Sequence, residues 1–117
     1  MVWPLPGIIM TREDKRMWCI VMFDLPVKTE IERKEATKFR NFLLDNGFSR
    51  VQYSVYVQYL PLGAQLAKIA RDIKQRLPNA GEVRIVPLTD KQWSNAFRFC
   101  KGTPQKMEET PQQLEIF

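Results

Sequence analysis

The sequence predicts an α+β domain whose elements run β-α-β(-β)-α-β, followed by one short extra strand. Three observations lead there. An unbroken apolar run, Cys19 to Phe23, carries neither charge nor turn former, as a strand buried on both faces does. A β-branched and aromatic stretch, residues 48–60, alternates between two faces. Residues 27–46 and 62–77 repeat apolar side chains at helical spacing.

The first strand ends at Asp24, because Pro26 lacks an N–H and disfavours helix at the residue before it, so the strand stops and the chain turns. A carboxylate is thereby left at the tip of a central strand, where a rigid backbone fixes its direction. The helix over residues 27–46 starts after Pro26 and stops at Gly47. Its apolar side comprises Ile31, Ala36, Phe39, Phe42 and Leu43, with Glu35 interrupting the arc. Arg33, Lys34, Lys38 and Arg40 lie outside it.

In residues 48–60 the alternation puts Val51, Tyr53, Val55, Val57 and Tyr59 on one face. Arg50, Gln52, Ser54, Tyr56 and Gln58 fall on the other. The run is long for one strand, so a bend or bulge near Ser54 is expected to divide it. The second helix, residues 62–77, carries a stripe of Leu62, Leu66, Ile69, Ala70, Ile73 and Leu77. Pro78 to Gly81 is a turn, and residues 82–88 form the next strand, ended by Pro87. Thr89 and Asp90 cap a short helical turn, and residues 96–100 alternate as a last strand. Residues 1–16 read as a loosely ordered extension, residues 17–101 as the domain, and residues 102–117 as a flexible tail. Leu114, Ile116 and Phe117 would give that tail a short apolar anchor for a partner surface.

This element order is the ferredoxin-like split βαβ arrangement, an antiparallel sheet with both helices on one face. Half of the apolar strand residues then point away from the helices. With no third long helix available, a homodimer packed sheet to sheet is the simplest cover, and a ligand or RNA is the alternative.

Composition narrows the chemistry. The chain of 117 residues contains no histidine, which removes Ser-His-Asp triads and paired-histidine ribonuclease sites. Hydrolysis would need a carboxylate-bound metal or activated water. Eighteen Lys and Arg against 13 Asp and Glu give a net charge of +5, which favours a polyanionic partner. No apolar stretch approaches the ~20 residues of a membrane span, and no secretory leader is visible, so a cytoplasmic protein is expected. Cys19 lies in the apolar strand as a small hydrophobe, and its spacing from Cys100 matches no metal motif.

Three motifs then come in order over residues 17–101: MFDLP, GFSRVQYSVY at 47–56, and RIVPLTDKQW at 84–93. Together they resemble the small CRISPR-associated protein of spacer acquisition, the partner of the CRISPR integrase, also described as a CRISPR-associated endoribonuclease. The resemblance implies a ferredoxin-like homodimer whose last strand pairs onto the partner's sheet. That dimer would bridge two integrase dimers and hold duplex DNA for insertion into the repeat array. It also implies Mg²⁺-dependent hydrolysis of RNA or DNA in many members. By the motif, Asp24 matches the metal-binding acid, and Arg50 and Tyr56 match positions implicated in activity, with phenylalanine common where Tyr56 stands. Arg33 sits in a basic stretch that other members also carry.

Two roles fit Asp24. It can accept backbone N–H groups in an Asx-type turn or cap the following helix. Alternatively, the two Asp24 carboxylates of a dimer bind one Mg²⁺ and activate its water. Asp45 is at the far end of the following helix, and Glu30, Glu32 and Glu35 on it could reach Asp24 only with help, so the residues favour a structural Asp24 and a scaffold, with metal-dependent hydrolysis as the alternative. Arg33, Lys34, Lys38, Arg40 and Arg50 form the expected nucleic-acid-binding strip, touching phosphates without reading bases. An RNA-recognition motif shares the topology but needs an aromatic K/R-G-F/Y-G/A-F-V segment that is absent here, and Tyr53 and Tyr56 are predicted on opposite faces.

Overall fold

Cys19, Val21 and Phe23 bury one face of the first strand, and Trp18 and Ile20 bury the other. That strand, β1 (Met17–Asp24), is accordingly central in a computed structural model that describes residues 16–111. After it come α1 (Glu30–Asp45), β2 (Ser49–Gln52), β3 (Val55–Leu60), α2 (Gln65–Lys74), β4 (Glu82–Thr89), α3 (Asp90–Ser94), β5 (Arg98–Cys100) and β6 (Thr103–Gln105). The main sheet has the order β2-β3-β1-β4, with every neighbouring pair antiparallel. This is the expected ferredoxin-like α+β architecture. The expected extension over residues 1–16 and the apolar residues Leu114, Ile116 and Phe117 lie outside the described residues, Arg16 excepted.

Both helices cover one face. Ala36, Phe39 and Leu43 of α1 and Leu66 and Ile73 of α2 pack with Cys19, Val21, Phe23, Tyr56 and Leu60 in one core. The first helix begins three residues later than its apolar pattern suggests. Thr29 is its N-cap, accepting from the Glu32 amide while the Glu32 carboxylate accepts from the Thr29 amide, a capping box that outweighs the proline signal. Ile31 therefore sits in the first turn and is 70% exposed, outside the expected stripe. Gly47, at φ +90°, ends the helix: its amide donates to Leu44 O, and the Phe48 amide donates to Leu43 O. The second helix is shorter than its stripe, so Leu62 and Leu77 fall beyond its ends and are exposed.

The long β stretch is divided as expected. Residues 53–54 form a turn, and the register shifts between Arg50 and Gln52. The bulge breaks the simple alternation, and Tyr53 leaves the Val55–Val57–Tyr59 face to lie beneath the Arg40 guanidinium of α1. β4 runs through Pro87 to Thr89 instead of ending at it, which an edge strand tolerates because only one side of its ladder needs donors.

The second face is partly covered by the chain itself. Trp18, Ile20, Val57 and Trp93 are buried there, with Met107 packed against them. Thr89 caps α3 through a second capping box with Gln92, and this places Trp93 flat on Trp18, centroids 4.8 Å apart. Trp93 Nε1 donates to Glu108 O (3.0 Å), and Trp18 Nε1 and Thr110 Oγ1 both donate to Asp90 Oδ1 (2.7 and 3.0 Å). The described part of the tail expected from residue 102 makes defined contacts. Lys101 and Gly102 form the tight turn of the β5–β6 hairpin, and residues 107–110 are tied to α3. Prolines and polar composition suggested a loose end, whereas tertiary contacts from Trp93 and Asp90 hold it.

Candidate functional site

Alternation along β1 decides where Asp24 points. Odd residues face the helices, so Asp24 lies with Trp18, Ile20 and Met22 on the other face. It is exposed, and among the described residues no donor reaches its carboxylate. The expected capping role is taken by Thr29, and the expected Asx turn does not form. Asp24 is an acid fixed at a strand end and without a hydrogen-bond or ion-pair partner among the described residues.

The β1–β4 register places Glu82 directly opposite Asp24. Directly opposed residues share a face, with Cβ atoms roughly 4.5–5.5 Å apart. Two residues on, Arg84 lies on the same face and pairs with the Glu82 carboxylate. Gly81, at φ +95°, makes this start of β4 possible. A Cβ there would stand 2.5 Å from the Asp24 carbonyl oxygen, so only glycine lets the turn close against the end of β1. Glu82 and Arg84 were missed by sequence reasoning. They lie some sixty residues from Asp24, and nothing local in the sequence announces a strand register. Among the described residues, no group of three or more potential metal-ligating side chains comes together.

The other expected site residues lie on the helix side. Tyr56 is 1% exposed and stacks on Phe23, centroids 5.6 Å apart, so it packs the core and faces away from Asp24. Arg50 pairs with Tyr56 across the β2–β3 ladder and shares its side of the sheet. The fold therefore does not bring Asp24, Arg50 and Tyr56 together. Arg33 donates from Nη1 to Val27 O and Lys28 O, clasping the loop between β1 and α1. Lys34 pairs with Glu30 at 3.7 Å on a fully solvated edge, a contact of little strength. Lys38 borders a groove of about 500 Å³ between α1 and α2, whose lining also includes Asp45, Asp72 and Arg76. Arg40 lies over the Phe23 and Tyr53 rings, and the Arg50 guanidinium lies over Tyr53 as well.

Burial pushes the Cys19 thiol up to about 12, so it stays protonated and unreactive, while Cys100 is exposed; both are free. The Tyr59 phenol is also raised, first by burial, then by the nearby Asp90 charge, with Arg16 pulling the other way. Among the described residues no helix is long and apolar enough to cross a membrane.

The family model for CRISPR associated protein Cas2 matches residues 17–96, more than half of the chain and all of the main sheet. The chain belongs to the Cas2 family. A protein of Paracidovorax avenae named CRISPR-associated endoribonuclease Cas2 is 46% identical over 101 residues, covering 86% of this chain and 94% of the relative. One of the same name from Flavobacterium psychrophilum is 36% identical, covering 88% and 90%. A solved Cas2 crystal structure, 21% identical, superposes with a TM-score of 0.53 over 82% of this chain and 98% of that one, which supports the fold.

Proposed function

We propose that this Cas2 chain acts in CRISPR adaptation as a homodimeric scaffold in the cytoplasm, holding duplex DNA by its phosphates and bridging integrase subunits during spacer integration. One observation carries the reading. The cations of α1 and β2 lie on the helix side of the sheet, while Asp24 and Glu82 lie on the other. Beside the acids, Arg84 is paired to Glu82, and the cations of α1 and β2 lie across the sheet from them. Cations spread over the helix side suit sequence-independent phosphate contact. Met22 at 36% exposure and the half-buried Val55, Tyr59, Val86 and Leu88 leave an apolar margin on the second face that a twofold partner would cover.

A second reading is supported by the acid pair and by the names of the relatives: Mg²⁺-dependent endoribonuclease activity. The donor set fits the ion, since Mg²⁺ prefers carboxylate oxygen and retains most of its waters. Asp24 and Glu82 would hold it, and when bound it would supply a water of lowered pKa beside the phosphate. Arg84 would orient Glu82, and Tyr56, enclosed in the core, would contribute only packing.

Spacer acquisition in cells carrying wild-type protein or the Asp24→Asn/Glu82→Gln double variant separates these readings, with the dimer of each checked by sedimentation. Persisting acquisition supports the scaffold. Acquisition lost with the dimer intact moves the carboxylates into the process itself. Acquisition indifferent to deletion of the whole protein would overturn the adaptation role.

A further inference from the structure

Two arginines of this fold share one aromatic ring, Tyr53, and neither is paired with an acid among the described residues. The Arg40 guanidinium lies 4.8 Å from the Tyr53 ring centroid, and that of Arg50 lies 5.1 Å from the same ring. Arg40 is anchored on its inner side as well, over Phe23 at 5.4 Å, and its Nε is buried with no partner. The neighbouring cations are occupied differently: Arg33 by loop carbonyls, Lys34 by Glu30, Lys68 by Asp72, Arg84 by Glu82 and Arg98 by Glu108. Tyr53 itself is 66% exposed, so its ring presents the arginines near the surface.

We infer that Tyr53 is a positioning residue that fixes Arg40 and Arg50 as a rigid two-pronged fork for neighbouring phosphates of a nucleic-acid backbone. The inference rests on the DNA-binding reading above and specifies its site. An exposed arginine normally loses side-chain entropy when it grips a phosphate. A guanidinium held over a ring has already lost part of it, and Arg50, exposed beside that ring, keeps planar N–H donors at the surface. Sharing one ring, at 4.8 and 5.1 Å from its centroid, keeps the two guanidiniums close together, as contact with neighbouring phosphates requires. The bulge that pulls Tyr53 out of the β alternation is what delivers its ring to both arginines.

The test is fluorescence anisotropy of the full chain with a short labelled DNA duplex over a salt series. Wild type binds, and Tyr53→Phe, which keeps the ring, binds equally well. Tyr53→Leu weakens binding about tenfold, as expected for losing two exposed cation–π contacts that hold the donors. Arg40→Lys, which keeps charge but not the planar fork, weakens it comparably. Arg40→Gln/Arg50→Gln flattens the log–log salt slope by about 1.8 per fork. In that double variant, Tyr53→Leu has no further effect, because nothing remains to position. Unchanged affinity for Tyr53→Leu, or full rescue by Arg40→Lys, overturns the fork while leaving the DNA-binding reading intact. So does a further loss when Tyr53→Leu is added to the double variant, since it would mean the ring touches DNA itself. A wild-type chain that does not bind the duplex at low salt removes both.

Discussion

Trp93→Ala probes the coverage of the second sheet face by the chain's own C-terminal residues. Trp93 is 7% exposed, stacks on Trp18 at an interplanar angle of 15°, and donates to Glu108 O. Truncating a buried tryptophan typically costs roughly 3–5 kcal/mol. The indole hydrogen bond accounts for about 1 kcal/mol of such a loss. Against a total stability of roughly 5–15 kcal/mol, this is a large fraction. Trp93→Phe keeps a ring on Trp18 and gives up the N–H, so it should cost only about 1–2 kcal/mol. Urea unfolding at fixed protein concentration, followed by circular dichroism, measures both. Loss of the Glu108 anchor should also raise amide exchange across residues 106–110 and leave that of α1 unchanged. A cost for Trp93→Ala below about 1 kcal/mol, with exchange unmoved, would refute the idea that this face is closed in cis.

Gly81→Ala should destabilise by more than the about 1 kcal/mol of an ordinary glycine substitution, because the new Cβ meets backbone 2.5 Å away at a positive φ; a change in thermal melting within 1 °C would contradict this. In native protein a maleimide should label Cys100 within minutes and leave Cys19 untouched until unfolding, as mass spectrometry would show. Because the folded Cys19 thiol is raised above its ordinary 9.0, its contribution to stability is complete below about pH 9. It is lost on going towards pH 12, up to ~4 kcal/mol, so Cys19→Ala should flatten the alkaline fall in stability. Millimolar Mg²⁺ should raise the melting temperature of wild type and not that of Asp24→Asn/Glu82→Gln; equal shifts would remove the acid pair as a metal site.

Much of this protein is set by local sequence. The apolar run of β1, the capping residue Thr89, the stop at Gly47 and the split near Ser54 are short-range features, legible because dihedral preferences and neighbouring hydrogen bonds act within a few residues. The motif-bearing span 17–101 and its ferredoxin-like order followed from the same signals. Other features belong to the tertiary structure alone. Strand register set Glu82 against Asp24, because pairing depends on how two distant strands align and not on either strand by itself. One bulge turned Tyr53 towards Arg40 and Arg50, and one buried indole drew residues 107–110 onto the sheet. Burial likewise took Tyr56 out of any exposed site, since only the packed core decides which face of a strand meets water.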